Sequence, residues 1–354
     1  MAQAFHSREI AGEHVDLDMH DVTGLAFAER RDRRRVGDDV YGEDPTINRL
    51  QEMAAERMGK EAGLFVPSGT MGNLIAVLAQ CQRGDEVIMG NLGHTFLFEG
   101  GGISALGGVF PHTLLNRPDG TLDLDEGRAA VRPADVHHPI SRMLILENTH
   151  NRCGGVVLSP EYTRAAGALA HEHGLFLHID GARIFNAAAA LAVAPAELAA
   201  PADSITFCLS KGLCAPVGSV LCGSRAMIER ARRIRKQLGG GMRQAGVLAA
   251  AGIYALEHMT ARLADDHRRA ARLADGIQNL PGIVFEMGLP PTNMVFPSFN
   301  QDIPYDAAEI VKRLKEQGIL AGVVAERRLR LVTHYWIDDA AVDRTIEAFR
   351  QILK

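Results

Sequence analysis

Ile179-Asp180-Gly181-Ala182-Arg183 and, about thirty residues downstream, Cys208-Leu209-Ser210-Lys211-Gly212-Leu213 are the stretches on which the reading of this chain turns. Asp180 closes the apolar run Leu175–Ile179, and Lys211 follows the apolar run Ser204–Cys208. A strand-end acid followed by an isolated lysine at this spacing recurs in few chemistries. It is the spacing of a pyridoxal phosphate (PLP) site. The lysine amine would hold the cofactor as a Schiff base, and the aspartate would pair with the protonated pyridine nitrogen so that the ring can accept electrons.

Outward from these two stretches, short β-rich runs alternate with longer amphipathic ones, the order that yields a mostly parallel sheet covered by helices. Ala62–Val66, Glu86–Met89, Met143–Glu147, Leu175–Ile179, Ser204–Cys208 and Gly218–Cys222 are apolar almost throughout, as strands buried on both faces must be. Met71–Cys81, Pro160–Glu172 and Met227–Gln237 carry helical periodicity, and the Ala-rich Ala245–His258 reads as a buried helix. A long helix over Leu256–Leu273 leads into a terminal region. There Thr292–Pro297, Gly318–Val324 and Arg328–Thr333 read as strands, and Ala307–Gln317 and Ala340–Leu353 as helices. The expected organisation is an N-terminal segment (1–36), a large α/β cofactor-binding domain (37–255) and a small α+β domain (256–354).

Composition narrows the partners. The chain has 354 residues, 47% hydrophobic, with 38 basic against 43 acidic residues, a net charge of -5 and 5% aromatics. That leaves neither a basic footprint nor interleaved aromatics for nucleic acid, so a small molecule is the expected partner. Five scattered cysteines without a Cys-x-x-Cys pair point to reduced thiols and the cytoplasm. No stretch reads as a signal sequence or a membrane span. The run Arg30–Arg35 reads as a solvated face or a subunit contact. His171-Glu172-His173 and His178 lack the spacing of a zinc site, and no metal is expected.

Phe65-Val66-Pro67-Ser68-Gly69-Thr70-Met71-Gly72-Asn73 passes from an apolar strand through a turn into a helix. Free amides and the positive dipole end at such a start suit an anion, so Ser68, Gly69 and Thr70 are expected to cup the cofactor phosphate. The same residues also make an ordinary N-cap. The run Gly100–Gly108 lacks the strand and ribose acid of a dinucleotide fingerprint, and close backbone packing accounts for it.

Several stretches resemble the L-threonine aldolases of low-specificity type, PLP enzymes of fold type I with an aspartate-aminotransferase-like large domain. They are Gly37–Thr46, Ser68–Thr70, Glu147–Asn151, His178–Asn186, Leu209–Leu213, Gly239–Gln244 and Arg330–His334. The resemblance implies cleavage of β-hydroxy-α-amino acids to glycine and an aldehyde. It implies that Arg330 grips the substrate carboxylate and that Arg183 leans toward the cofactor's phenolic oxygen or the carboxylate. His94 would stack on the cofactor, with base duty as a second task. His150 would recognise the hydroxyl or pass a proton through water. Tyr41, Lys236 and Arg243 would sit beside the phosphate or reach in from a partner, implying a homodimer or homotetramer with the site at the interface. One departure stands out: where the family reads Asp-Leu-Arg-Ser-Asp-Thr-Val-Thr, this chain has Asp16-Leu17-Asp18-Met19-His20-Asp21-Val22-Thr23. Met19 replaces the carboxylate-binding serine, so either His20 substitutes or the pocket prefers a bulkier β-substituent such as that of phenylserine. The remaining alternatives are a β-eliminating lyase or other PLP reaction on the same scaffold, and a fold kept without the cofactor.

Overall fold

The computed structural model describes residues 15–17 and 36–354; Met19, His20 and the Arg30–Arg35 run lie outside them. The first strand, β1 (Val15–Asp16), pairs in parallel with β12 (Ile319–Leu320) near the other end of the chain. Strands β2 (Ala62–Val66), β3 (Asp85–Gly90), β4 (Phe110–Leu114), β5 (Ile140–Glu147), β6 (Phe176–Asp180), β7 (Ser204–Cys208) and β8 (Ser219–Gly223) form the large sheet. Its order is β2-β8-β7-β6-β5-β3-β4, and only β8 runs against the others. Every residue of β3, β7 and β8 is buried, the consequence of helices packed on both faces. Burying one such side chain, Phe207 for example, is worth roughly 1.5–3 kcal/mol.

The two-residue strands Val15–Asp16, Ile283–Val284 and Ser298–Phe299 are not among those expected, and the strand expected over Gly318–Val324 is two, Ile319–Leu320 and Gly322–Ala325. In the large sheet the strand expectations hold to within a few residues, with one omission. β4 is an edge strand, carries Pro111 and is only partly covered, so it lacks the continuous apolar run by which its neighbours are read. The Ala-rich helix spans Gly246–Tyr254 and closes in a π-turn (Ala255–Met259). The next helix begins only at Leu263 and runs to Ile277, so the single helix expected over Leu256–Leu273 is two pieces. The break lets Leu263 join the large core while Leu273 and Ile277 enter the other one.

That second core draws on β9 (Ile283–Val284), β10 (Met294–Val295), β11 (Ser298–Phe299), β12 and β14 (Arg328–Val332), with helices Ala307–Glu316 and Asp339–Ile352, and β13 (Gly322–Ala325) pairs with β14 beside it. Val15 and Leu17 belong to it, and Leu17 O accepts from Val332 N at 3.0 Å.

Two local motifs carry structural duties. Asp44 caps the helix Pro45–Met58 by accepting from Thr46 N and Ile47 N, and its other oxygen accepts from Gly246 N at 2.8 Å. One buried carboxylate thereby ties that helix to Gly246–Tyr254. In the Gly100–Gly108 run, close packing explains Gly107, whose Cβ would fall 2.5 Å from Ile103 O, but not Gly100 or Gly101. Those two have open space around them and φ of 62° and 65°, so glycine is there for the left-handed backbone.

Candidate active site

At the carboxyl edge of the sheet the chain leaves each strand toward one place. Ser68–Thr70 follow β2, His94 opens a short helix (His94–Leu97) after β3, Glu147 ends β5, Asp180 ends β6 and Lys211 follows β7. All of them line a cavity of about 830 Å³, and Phe98, Met287, Phe296, Val323, Val324, Arg328 and Arg330 supply its further walls. Ligands of open parallel sheets bind outside the carboxyl ends of the strands for this reason.

The expected anion end is the start of the helix Gly69–Gln80. Ser68 accepts from Met71 N through its Oγ at 3.2 Å, so it does serve as an N-cap, while Ser68, Gly69 and Thr70 still border the cavity. A Cβ on Gly69 would stand 3.1 Å from Cys208 Sγ, and its absence brings this backbone close to β7. Lys211 sits on a tight loop held by Leu209 N to Gly218 O (2.9 Å), Cys214 N to Lys211 O (2.8 Å) and Ala215 N to Leu209 O (3.0 Å). An anion cradle, a buried carboxylate and a lysine on one cavity wall fit a phosphorylated pyridine aldehyde.

Asp180 is 3% exposed and its Oδ2 accepts from Asn73 Nδ2 at 2.9 Å. The same amide donates to Glu99 Oε1 at 2.8 Å, and that oxygen lies 2.9 Å from His94 Nδ1. The ligand-type atoms of His94, Glu99 and Asp180 lie within 4.8 Å of one another, yet an amide donor bridges the two carboxylates where a cation would sit. Its hydrogen bond to Glu99 pushes the His94 imidazole above its ordinary value, against the opposing pull of burial. Burial pushes the Glu99 carboxyl up, with Asp180 adding to the rise and His94 opposing it. Both shifts favour the protonated forms of the pair. Glu147 braces the neighbourhood: Oε2 accepts from His94 N at 2.7 Å and Oε1 from Asn151 N at 2.8 Å.

Arg330 reaches the cavity because β14 alternates. Leu329 and Leu331 enter the core, and Arg330 Nη1 donates to Asn151 Oδ1 at 3.1 Å. Arg327 is turned away and donates to Phe299 O and Ile303 O. Arg183, 6% exposed, also lines the cavity. His150 lines a smaller adjoining cavity of about 20 Å³, which shares His94, Glu147 and Asp180 with the large one. Tyr41, Lys236 and Arg243 are not on the cavity wall. Arg243 pairs with Asp38 and lies over the Tyr41 ring, 5.6 Å from its centroid, on an exposed face where Tyr41 is 71% accessible. The zinc-like histidines disperse. His171 pairs with Asp203 at 3.0 Å, and Glu172 with Arg128 at 2.7 Å. His178 is buried between Ser204 and Asn73.

Asn73, Glu99 and His178 belong to this network and were given no site role from the residues alone. Glu99 lies five residues beyond His94, just before the Gly100–Gly108 run, where no pattern carries a chemical signal; only the fold brings Asn73 to it.

Residues 25–300 match the family model described as β-eliminating lyase. Low-specificity L-threonine aldolase 1 of Arabidopsis thaliana is 47% identical over 344 residues, 96% of each chain. The low specificity L-threonine aldolase of Escherichia coli (strain K12) is 45% identical over 322 residues, 90% of this chain and 93% of the relative. Among solved structures, the threonine aldolase of Leishmania major matches with a TM-score of 0.80 at 20% identity, covering 96% of this chain and 100% of its own. At that identity the likeness speaks to the fold, which is fold type I.

Proposed function

The chain belongs to the β-eliminating lyase family, and within it to the low-specificity threonine aldolases, and from that premise we propose that it cleaves L-threonine, L-allo-threonine and related β-hydroxy-α-amino acids to glycine and an aldehyde. It is a PLP-dependent lyase. The observation that carries the reading is the convergence of Lys211, Asp180, the Ser68–Thr70 helix start and Arg330 on one cavity. Lys211 would hold PLP, Asp180 would face its pyridine nitrogen, and Ser68, Gly69 and Thr70 its phosphate. When bound, PLP supplies a sink for the electron pair released as Cα–Cβ breaks.

The rest falls to side chains. Arg330, steadied by Asn151, would grip the substrate carboxylate, and its planar fork would fix the torsion of the bond to be broken. Arg183 would share that carboxylate or the cofactor's phenolic oxygen. His94 would cover the cofactor face and take the β-hydroxyl proton. His150, beside a cavity with room for a single water, would pass a proton through that water in place of direct contact with the hydroxyl. Phe98, Met287, Phe296, Val323 and Val324 form an apolar wall that supports acceptance of a bulkier β-substituent such as phenylserine's. Each CH2 buried on it is worth about 0.8 kcal/mol. The exposed Tyr41–Arg243 face with Lys236 supports a homodimer or homotetramer in which these residues reach the partner's phosphate end.

Product analysis on threonine, allo-threonine and phenylserine tests the reading. Glycine and an aldehyde are expected. Ammonia with 2-oxobutanoate from the threonines, or with phenylpyruvate from phenylserine, would instead show β-elimination, and faster turnover of threonine than of phenylserine would sink the preference for bulk.

A further inference from the structure

A directed chain of hydrogen bonds runs beneath the cavity floor and ends on His94. Gln80 Nε2 donates to Ala76 O at 3.0 Å and to Ser204 Oγ at 2.9 Å, and the carbonyl partner identifies that nitrogen as the donor. Ser204 Oγ, with one lone pair taken by Gln80, can turn its own proton to His178 Nδ1 at 2.8 Å. His178 is fully buried and held neutral, since burial pushes its imidazole down to about 4. A neutral ring accepting at Nδ1 carries its proton on Nε2, which lies 3.2 Å from Asn73 Oδ1. The Asn73 amide is thereby oriented with Nδ2 outward, donating to Glu99 Oε1 and Asp180 Oδ2.

We propose that Glu99 is a positioning residue for proton transfer by His94: its Oε1, fixed as an acceptor by Asn73, keeps a proton on His94 Nδ1 and leaves Nε2 as the ring atom that takes the substrate's proton. The inference rests on the aldolase reading for the identity of that proton but not for the geometry. Glu99 suits the task because its side chain is 2% exposed while the His94 ring remains 35% exposed at the cavity. A buried carboxylate behind a half-exposed imidazole sets tautomer and orientation together, the relation seen when a second group orients a catalytic histidine. The other charged or titratable groups facing His94 are Asp180 from β6, Lys211 from the loop after β7, and Glu147 and His150 from β5 and its end. Among the described residues, Glu99 is the one hydrogen-bonded to the ring.

The test compares Glu99→Gln and Glu99→Asp with the parent as PLP-loaded enzymes, and follows the His94 ring by NMR titration in each protein before loading. In Glu99→Gln the amide can donate to Nδ1 and move the ring proton to Nε2. Expected are a fall in kcat for glycine formation of about 10- to 100-fold, a shift of the acidic limb of the rate profile and of the His94 titration to lower pH, and retained cofactor absorbance. Glu99→Asp should recover part of each loss. An unchanged His94 titration and acidic limb in a folded Glu99→Gln protein would overturn the proposal, and if that variant does not fold, parent-like values in Glu99→Asp would do so. A shifted His94 titration in a protein that releases no glycine would leave the positioning role standing and remove the aldolase reading instead.

Discussion

Two groups of buried acids lie at opposite ends of the same sheet. At the amino edge, Glu86 on β3 is fully buried and surrounded: Ser141 Oγ donates at 2.9 Å, Arg132 Nε at 3.2 Å, and His112 Nδ1 lies at 3.2 Å. Its neighbour Asp85 accepts from Gln82 N at 2.8 Å and Arg142 Nε at 3.4 Å. At the carboxyl edge, Glu99 and Asp180 are as deeply buried, yet they share one neutral amide and a half-exposed histidine beside a cavity. The two clusters contain similar residue types. Where cations and hydroxyls surround the acid, the cluster does structural work; where the charge is left facing a cavity, it is available to a ligand.

Breaking each cluster should have separable consequences. The largest loss is expected for Lys211→Ala: glycine release should fall at least about a thousandfold, and borohydride treatment should leave no cofactor mass on the peptide. His94→Phe should lower turnover by about 10²- to 10⁴-fold while cofactor absorbance persists, and wild-type-like turnover would remove His94 from the chemical step. Arg330→Lys keeps the charge and loses the fork; kcat/KM should drop about 10- to 100-fold, read from steady-state kinetics, and a parent-like value would assign the carboxylate to another residue. Glu86→Gln should leave kcat unaltered and cost about 1–3 kcal/mol in denaturant unfolding. A kinetic defect there would erase the distinction between the two edges.

The smallest effect sharpens the comparison through pH. His178 is pushed from 6.5 down to about 4 by burial, and His267 likewise. Because the unfolded chain takes up protons first, the stability these rings contribute is complete above about 6.5 and is lost as pH falls from there toward 4. His94 runs the other way: raised by Glu99, its contribution is present below the ordinary histidine range and is lost as pH rises through the raised value. Unfolding midpoints of His178→Gln should therefore decline less steeply than the parent's between pH 6.5 and 4.

Legibility varied with how much of the reason for a residue lay in its neighbours along the chain. Buried strands could be read because each satisfies a local rule, apolar on both faces, and β4 escaped because an edge strand need not. Periodicity alone does not separate Arg327, Arg328 and Arg330; the family resemblance singled out Arg330, and the alternation of β14 turns it to the cavity with Arg328. His150 reads as a cavity histidine but stands one layer behind the large cavity, beside the smaller one.

The sequence by itself determined the α/β alternation and singled out Lys211, Asp180 and the Ser68–Thr70 turn, which line one cavity, because each depends on periodicity or on a motif confined to a few successive residues. Only the tertiary structure decided that Asn73, Glu99, Asp180 and His178, spread over some hundred positions, share one hydrogen-bond network. Parallel strands require long crossovers, so residues that meet at a sheet edge are far apart in the chain, and no local pattern records that they meet.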